Sequence, residues 1–331
     1  MTLTLAAPDP QTGAHVVEVP LEYAQQRIDN FLLRLLKGAP RSMIYRMLRK
    51  GEVRVNRARI KPDYRLQAGD AVRIPPVSIR VQDRTICPPP PVLARLENAI
   101  LLEDRHVLVL NKPAGLAVHS GSGLAFGVIE ALRLLRPDAV FLELAHRLDR
   151  DTSGCLALAK TPSALRALHA AFQAGAMDKR YLTLVKGAWA SGEVTVSEPL
   201  RKVLRSGERM MEAHPDGKPA LTRFMPVTSY REASLVEAKI ATGRTHQIRV
   251  HAAGLGHPVA GDDKYGEPVF NRAMAHFGLR RLFLHAYRLT FALDGREISV
   301  DAPLDEELRG VLERLGDRPV KSAARIPLEP S

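Results

Sequence analysis

His146-Arg147-Leu148-Asp149-Arg150-Asp151-Thr152-Ser153-Gly154 sets two acids, two arginines and a histidine immediately before Cys155-Leu156-Ala157-Leu158. The apolar tetrapeptide reads as a buried strand, so the polar residues form a turn lying against the core rather than a solvated loop. Rigid scaffolds present reactive groups at such turns. A carboxylate placed there, such as Asp149, needs a compensating partner or it takes up a proton. From residue types alone two readings stay open: a structural ion pair with Arg147 or Arg150, and a functional acid.

Asp151-Thr152-Ser153-Gly154 also looks like the active-site loop of an aspartic protease. That chemistry needs two carboxylates sharing a proton, hence a second such loop. The other Asp-Gly pairs, Asp216-Gly217 and Asp294-Gly295, do not fit. A second polar cluster is Gly243-Arg244-Thr245-His246-Gln247-Ile248-Arg249-Val250-His251. Its histidines are five apart, with neither helical metal spacing nor a third ligand, so no metal is expected. Arg249 lies between two apolar residues, which predicts a low-dielectric setting and pairing with a buried carboxylate such as Asp149. Lys179-Arg180-Tyr181-Leu182-Thr183-Leu184-Val185 is a basic entry to a strand. There Tyr181 is either half-buried packing or a ring available for stacking on a base. Lys112-Pro113-Ala114-Gly115 and Gly261-Asp262-Asp263-Lys264-Tyr265-Gly266 read as structural turns.

The chain has 331 residues, 45% hydrophobic and 25% charged, which fits a soluble protein of two domains. Two cysteines, Cys87 and Cys155, support neither a disulfide framework nor a zinc set. The start lacks the basic and apolar blocks of a signal peptide, so a cytoplasmic, membrane-free protein is expected. Net charge is +12, and residues 21–80 alone hold 14 Lys and Arg against 5 Asp and Glu. So local an excess points to nucleic acid.

Residues 1–15 read as a flexible tail and residues 16–80 as a compact basic module. Within the module Ile28, Phe31, Leu32, Leu35 and Leu36 mark a helix that ends at Lys37-Gly38-Ala39-Pro40. Ser42 is placed to cap a second helix that ends at Gly51. Short strands follow, Val53 and Val55 inward and Arg54 outward. Arg41, Arg46, Arg49, Lys50 and Arg54 are the candidates for contact with the nucleic acid. Residues 81–91 form a proline-rich linker, 92–317 a second domain and 318–331 a loose tail. In that second domain helices are expected at Phe126 to Leu135, Pro162 to Gln173 and Asp305 to Leu315. Apolar strand runs outnumber them without a βαβ rhythm. The expectation is α+β: a largely antiparallel mixed sheet flanked by helices and loops, after a small α/β module.

The stretch from Arg27-Ile28-Asp29 through Ala68-Gly69-Asp70 resembles the S4 RNA-binding domain. The clusters around Asp149, Tyr181 and Arg249, with Gly261 to Gly266 and Leu282-Phe283-Leu284-His285-Ala286, resemble the RluA family of pseudouridine synthases. The S4-like module ahead of these clusters narrows the likeness to the branch that acts on large-subunit, 23S rRNA, and Arg41 to Gly51 and Ser122 to Gly127 narrow it further within that branch. It implies isomerisation of uridine in RNA without a cofactor; separately, a monomer is expected. By the same resemblance Asp149 is the catalytic residue, acting on C1′ as nucleophile or on the C2′ proton as base. Arg249 keeps it ionised, Tyr181 stacks on the uracil, and Arg147 fills the gap left by the flipped nucleotide. The competing reading is a non-catalytic rRNA-binding or ribosome-assembly factor.

Overall fold

The computed structural model describes residues 13–36, 39, 41–77, 88–120, 126–205 and 207–316. Expectations for the two tails, for residues 81–87 of the linker, for Lys37-Gly38 and for most of Ser122 to Gly127 lie outside them. The chain divides into two compact units, Met1–Thr85 and Ile86–Ser331.

In the first unit two amphipathic helices, α1 (Ile28–Leu35) and α2 (Arg41–Lys50), carry Phe31, Leu32, Ile44 and Met47 into a small core. They cover a three-stranded sheet of β1 (His15–Glu18), β2 (Arg54–Val55) and β3 (Ala71–Ile74), in the order β1-β3-β2. The core also holds Val53, Leu66 and Val72, and Gly51 leaves α2 at φ 68° as expected. Because α2 begins at Arg41, Ser42 lies inside its first turn and not at its cap. Apolar spacing fixes which face is buried but leaves helix ends uncertain by a residue or two. The module is closed by two buried acids. Asp29 accepts from the fork of Arg27, the Tyr45 hydroxyl at 2.8 Å and the Asn30 amide at 2.9 Å. Asp70 accepts from Asn56, Tyr64 and the Gln67 amide. Arg46, Arg49, Lys50 and Arg54 are exposed.

The second unit runs α3 (Pro90–Glu97), β4 (Ile100–Glu103), β5 (Val107–Lys112), α4 (Val128–Leu135), β6 (Glu143–Leu144), β7 (Ser153–Ala159), α5 (Pro162–Gln173) and β8 (Asp178–Lys186). It continues with β9 (Val194–Val196), β10 (Leu200–Arg205), β11 (Glu208–Ala213), β12 (Thr222–Ser229), β13 (Ala233–Ile240) and α6 (Gln247–Gly254). It ends with α7 (Pro268–His276), β14 (Leu284–Leu293), β15 (Arg296–Asp301) and α8 (Glu306–Leu315). The main sheet has the order β4-β5-β7-β14-β8-β13-β12-β9, with β15 on β14 and β6 on β7, while β10 and β11 form a separate hairpin. Every pairing is antiparallel except β7 with β14, where Ser153 faces His285 and Gly154 faces Ala286. The expected largely antiparallel mixed sheet is therefore what forms.

Both faces of β7 are covered, which explains its uninterrupted apolar run from Cys155 to Ala159. Leu156 and Leu158 pack to one side with Tyr181, Val185 and Phe224. Cys155 and Ala157 pack to the other with Leu289 and Phe291. Leu182 and Leu184 meet Phe270, Met274 and Leu308 under α7 and α8. The Asp149 turn feeds β7 at the middle of this sheet.

Candidate active site

Alternate residues of the turn point into the protein and fix it. His146 accepts the Ala157 amide proton on Nε2 at 3.0 Å, tying the turn to the middle of β7. Leu148 is buried in the core. The Arg150 carbonyl accepts from the Gly115 amide at 2.9 Å and from Lys112 Nζ at 3.0 Å. Lys112 is completely buried, and its ammonium also reaches the carbonyls of Pro113 and Leu116 at 2.9 and 2.8 Å. Burial pushes Lys112 down to about 7, against the charges of Asp151 and Asp149. Three carbonyl acceptors match the three hydrogens of the ammonium form, so the geometry favours the charged state.

At the strand entrance the Ser153 hydroxyl lies 2.8 Å from His285 Nδ1, and His285 Nε2 lies 2.9 Å from the Ala302 carbonyl. A carbonyl only accepts, so the His285 proton is on Nε2 and Ser153 donates to Nδ1. Burial holds the His285 ring down to about 4. Arg281 completes the corner, donating to Ser153 at 3.2 Å and pairing with Asp305. Gly154 follows at φ 109°, and a Cβ on it would sit 2.2 Å from the Ala286 carbonyl oxygen. A side chain there is barred by conformation and by space.

This frame leaves Asp149 in the lining of an open cleft, beside Arg147, Tyr181 and His246. Its carboxylate is 24% exposed, so water reaches it. Oδ1 lies 4.0 Å from Arg147 Nη2 and Oδ2 lies 3.9 Å from His246 Nε2. Tyr181 forms one wall from the middle of β8, where it faces Ala238 of β13. Burial, then the negative charge of Asp149, raises its phenol well above the ordinary value, so it stays protonated. Ile240, Ile248 and Leu284 supply apolar wall, and Arg244 and Arg147 supply positive charge.

The structure thus brings Asp149, Arg147 and Tyr181 into one cleft and places Arg249 behind it. The expected contact between Arg249 and Asp149 is not made. Arg249 on α6 donates from Nε to Asp262 Oδ2 at 2.7 Å and from Nη2 to Asp262 Oδ1 at 2.5 Å. Asp262 wins because it is fully buried and already aimed, its Oδ1 also accepting the Lys264 and Tyr265 amides at 2.9 and 3.0 Å. Buried opposite charges in bidentate geometry outcompete a carboxylate still open to water. Asp149 acts on Arg249 through charge alone, as one of the groups holding its pKa up against burial.

The loop from Gly243 to His246 is held by Gln247, which sequence reading passed over. Its amide donates to the Leu221 carbonyl at 2.9 Å and to Thr222 Oγ1 at 3.0 Å. Its oxygen accepts from the Thr242 hydroxyl at 2.7 Å and the Arg244 amide at 3.0 Å. All four hydrogen-bonding positions of a buried amide are filled, which makes the loop rigid. His246 was weighed in the sequence only as a metal ligand. The Gly261 to Gly266 turn, read as structural, supplies Asp262.

Comparison with known proteins follows the same residues. The sequence pattern of RNA pseudouridylate synthases matches residues 106–254, and that of the S4 domain matches residues 26–72. The chain is 54% identical over 306 residues to the ribosomal large subunit pseudouridine synthase C of Escherichia coli strain K12, covering 91% of this chain and 96% of that protein. To the enzyme of that name from Yersinia pestis it is 52% identical, covering 90% and 94%. Among solved structures, human RNA pseudouridylate synthase domain containing 4 aligns with a TM-score of 0.58 at 25% identity, over 70% of this chain and 96% of that one.

Proposed function

The chain belongs to the RNA pseudouridylate synthase family, and on that footing we propose that it isomerises uridines of large-subunit (23S) ribosomal RNA with Asp149 as the reacting carboxylate. The enzyme class follows from the family. The relatives' names support the substrate, and the cleft supports the residue roles. The observation that carries the assignment is the meeting of one partly solvated carboxylate with one buried tyrosine ring in a cleft edged by arginine.

A uridine paired in a stem keeps its glycosidic bond inside the stack, so it must turn out before Asp149 can reach it. Arg147, 67% exposed at the mouth, is placed to follow the base out and fill the space it leaves. Tyr181 offers its ring to the uracil, and Ile240 and Ile248 exclude water around it. The N1–C1′ bond then breaks, the uracil rotates, and C5 bonds to C1′. The C5 proton leaves last. Asp149 serves this sequence either by bonding C1′ or by taking the C2′ proton, and both routes need its oxygens unprotonated. The Arg249–Asp262 pair acts at one remove, as a buried strut behind the loop that faces the carboxylate. No step calls on a cofactor.

Arg46, Arg49, Lys50 and Arg54 of the first unit supply exposed charge for RNA phosphates, and Arg41 starts the same helix. No helix among the described residues is long and apolar enough to cross a membrane. We propose a monomer acting in the cytoplasm on free rRNA or on an assembling subunit. The deciding experiment is tritium release from C5-labelled 23S rRNA, because the C5 hydrogen is lost only when the new bond forms. Wild type should release it, and Asp149→Asn should bind the RNA with unchanged affinity and release none. Turnover by Asp149→Asn would remove Asp149 from its role. Binding without release by either protein would favour a pure RNA-binding factor.

A further inference from the structure

One residue facing the cleft holds a backbone conformation that its side chain does not favour. His246 has φ 53° and ψ 20°, left-handed values that a residue with a Cβ keeps only when its surroundings enforce them. Its two ring nitrogens are engaged on opposite sides. Nδ1 lies 2.8 Å from the Tyr265 hydroxyl, and Nε2 lies 3.9 Å from Asp149 Oδ2. The Tyr265 oxygen also accepts the Met211 amide proton at 2.8 Å, so the β11 backbone anchors it from behind. Its ring carries the Arg249 guanidinium, 5.1 Å from the centroid.

The hydrogen-bond partners point to one tautomer of the histidine. The Tyr265 hydroxyl has one hydrogen to give, and among the described residues its acceptor is His246 Nδ1. Accepting there leaves the proton of the neutral ring on Nε2, the nitrogen that faces the carboxylate. Burial and the nearby Arg249 charge keep the ring from taking a second proton.

We infer that Tyr265 fixes His246 as the Nε2–H tautomer, so that His246 donates a hydrogen bond to Oδ2 of Asp149 when substrate fills the cleft and leaves Oδ1 to react. This rests on the reading of Asp149 as the reacting carboxylate. The separation in the empty cleft exceeds a hydrogen bond by about 1 Å, a gap of the kind that closes on binding. Oδ1 is the oxygen suited to react because its cation is Arg147, an exposed side chain that can turn away to the RNA, whereas His246 is locked. His246 and Tyr265 are thus positioning residues, and they connect the basic β10–β11 hairpin to the site through Met211.

The test uses full-length 15N-labelled protein and long-range 1H–15N correlation, with the His246 signals assigned by their loss in His246→Gln. Wild type should show the neutral Nε2–H tautomer, and Tyr265→Phe, which keeps the ring beneath Arg249, should show a mixture. Single-turnover tritium release should fall about 10-fold in Tyr265→Phe and about 10- to 100-fold in His246→Ala, with RNA affinity unchanged within about 3-fold. His246→Gln should recover most of the rate, since its amide N–H reaches where Nε2–H stood. An Nδ1–H tautomer in wild type, or a wild-type rate in His246→Ala, overturns the inference. Asp149→Asn run alongside separates the two ideas. Its turnover would sink the Asp149 reading, whereas its inactivity beside an unimpaired His246→Ala would sink only the present one. Should His246→Ala fail to fold, the tautomer and rate of Tyr265→Phe decide alone.

Discussion

Asp262 has no accessible side-chain surface, and Arg249 is its counter-ion. Arg249→Met should lower the free energy of unfolding by about 3–5 kcal/mol, because a lone buried carboxylate remains. Adding Asp262→Asn removes that charge and should return much of the loss in a urea titration without restoring tritium release. His285 makes a prediction with a direction in pH. Its folded pKa, down to about 4, lies below the ordinary histidine value, so the unfolded chain binds the proton first as pH falls. His285 therefore contributes no pH dependence above about pH 6.5 and a loss below it of about 1.4 kcal/mol per unit, about 3 kcal/mol by pH 4. Urea midpoints at pH 7, 6 and 5 should show this decline on top of that from His146, which burial also holds down to about 4, and His285→Gln should remove only the His285 share. Asp149 and Tyr181 were legible in the sequence because each stands in a polar cluster that abuts an apolar run. The partner of Arg249 was not, since burial says that an arginine needs a carboxylate without saying which one. His246 was hidden for another reason: nothing in the letters reveals a left-handed backbone at a residue other than glycine.

Among the elements, β7 is the one on which the site hangs, and Gly154 is its weak point. Gly154→Ala forces a methyl group against the Ala286 carbonyl and should cost about 3 kcal/mol or more. Gly175→Ala is the control, since that glycine has φ 68° and open space around it. It should cost only the conformational share, about 1–2 kcal/mol, and the difference between the two urea midpoints measures the clash. Strands β5 and β7 were readable because both their faces are buried and their runs Val107 to Leu110 and Cys155 to Ala159 are apolar without a break. The same completeness of burial concealed α6. Gln247 through Ala252 are all buried, so the helix has no polar face and no periodicity to betray it. The β10–β11 hairpin escaped for the opposite reason. Its residues are mostly exposed and charged, and nothing in Leu200–Arg205 alternates cleanly enough to read as a strand.

For the whole molecule, the charge map was the readable part: the concentration of arginine in residues 21–80 falls within the first compact unit, which has its own core. Deleting residues 1–85 should leave the second unit folded and weaken its binding to rRNA. The slope of log affinity against log salt should drop by about 0.7–0.9 for each phosphate contact removed, and an unchanged slope would show that the first unit does not anchor the RNA. The long-range closure of the second unit was beyond sequence reading, because pairings across so many residues leave no local pattern. That closure governs when the protein becomes an enzyme. Ser153 reaches its histidine across 132 residues, and Asn111 reaches the Pro303 carbonyl across 192. A ribosome making this chain releases Asp149 and Tyr181 long before the strand that secures them. Because β14 pairs with both β7 and β8, the strand entered by the Asp149 turn and the strand bearing Tyr181 are bridged only once β14 has been made.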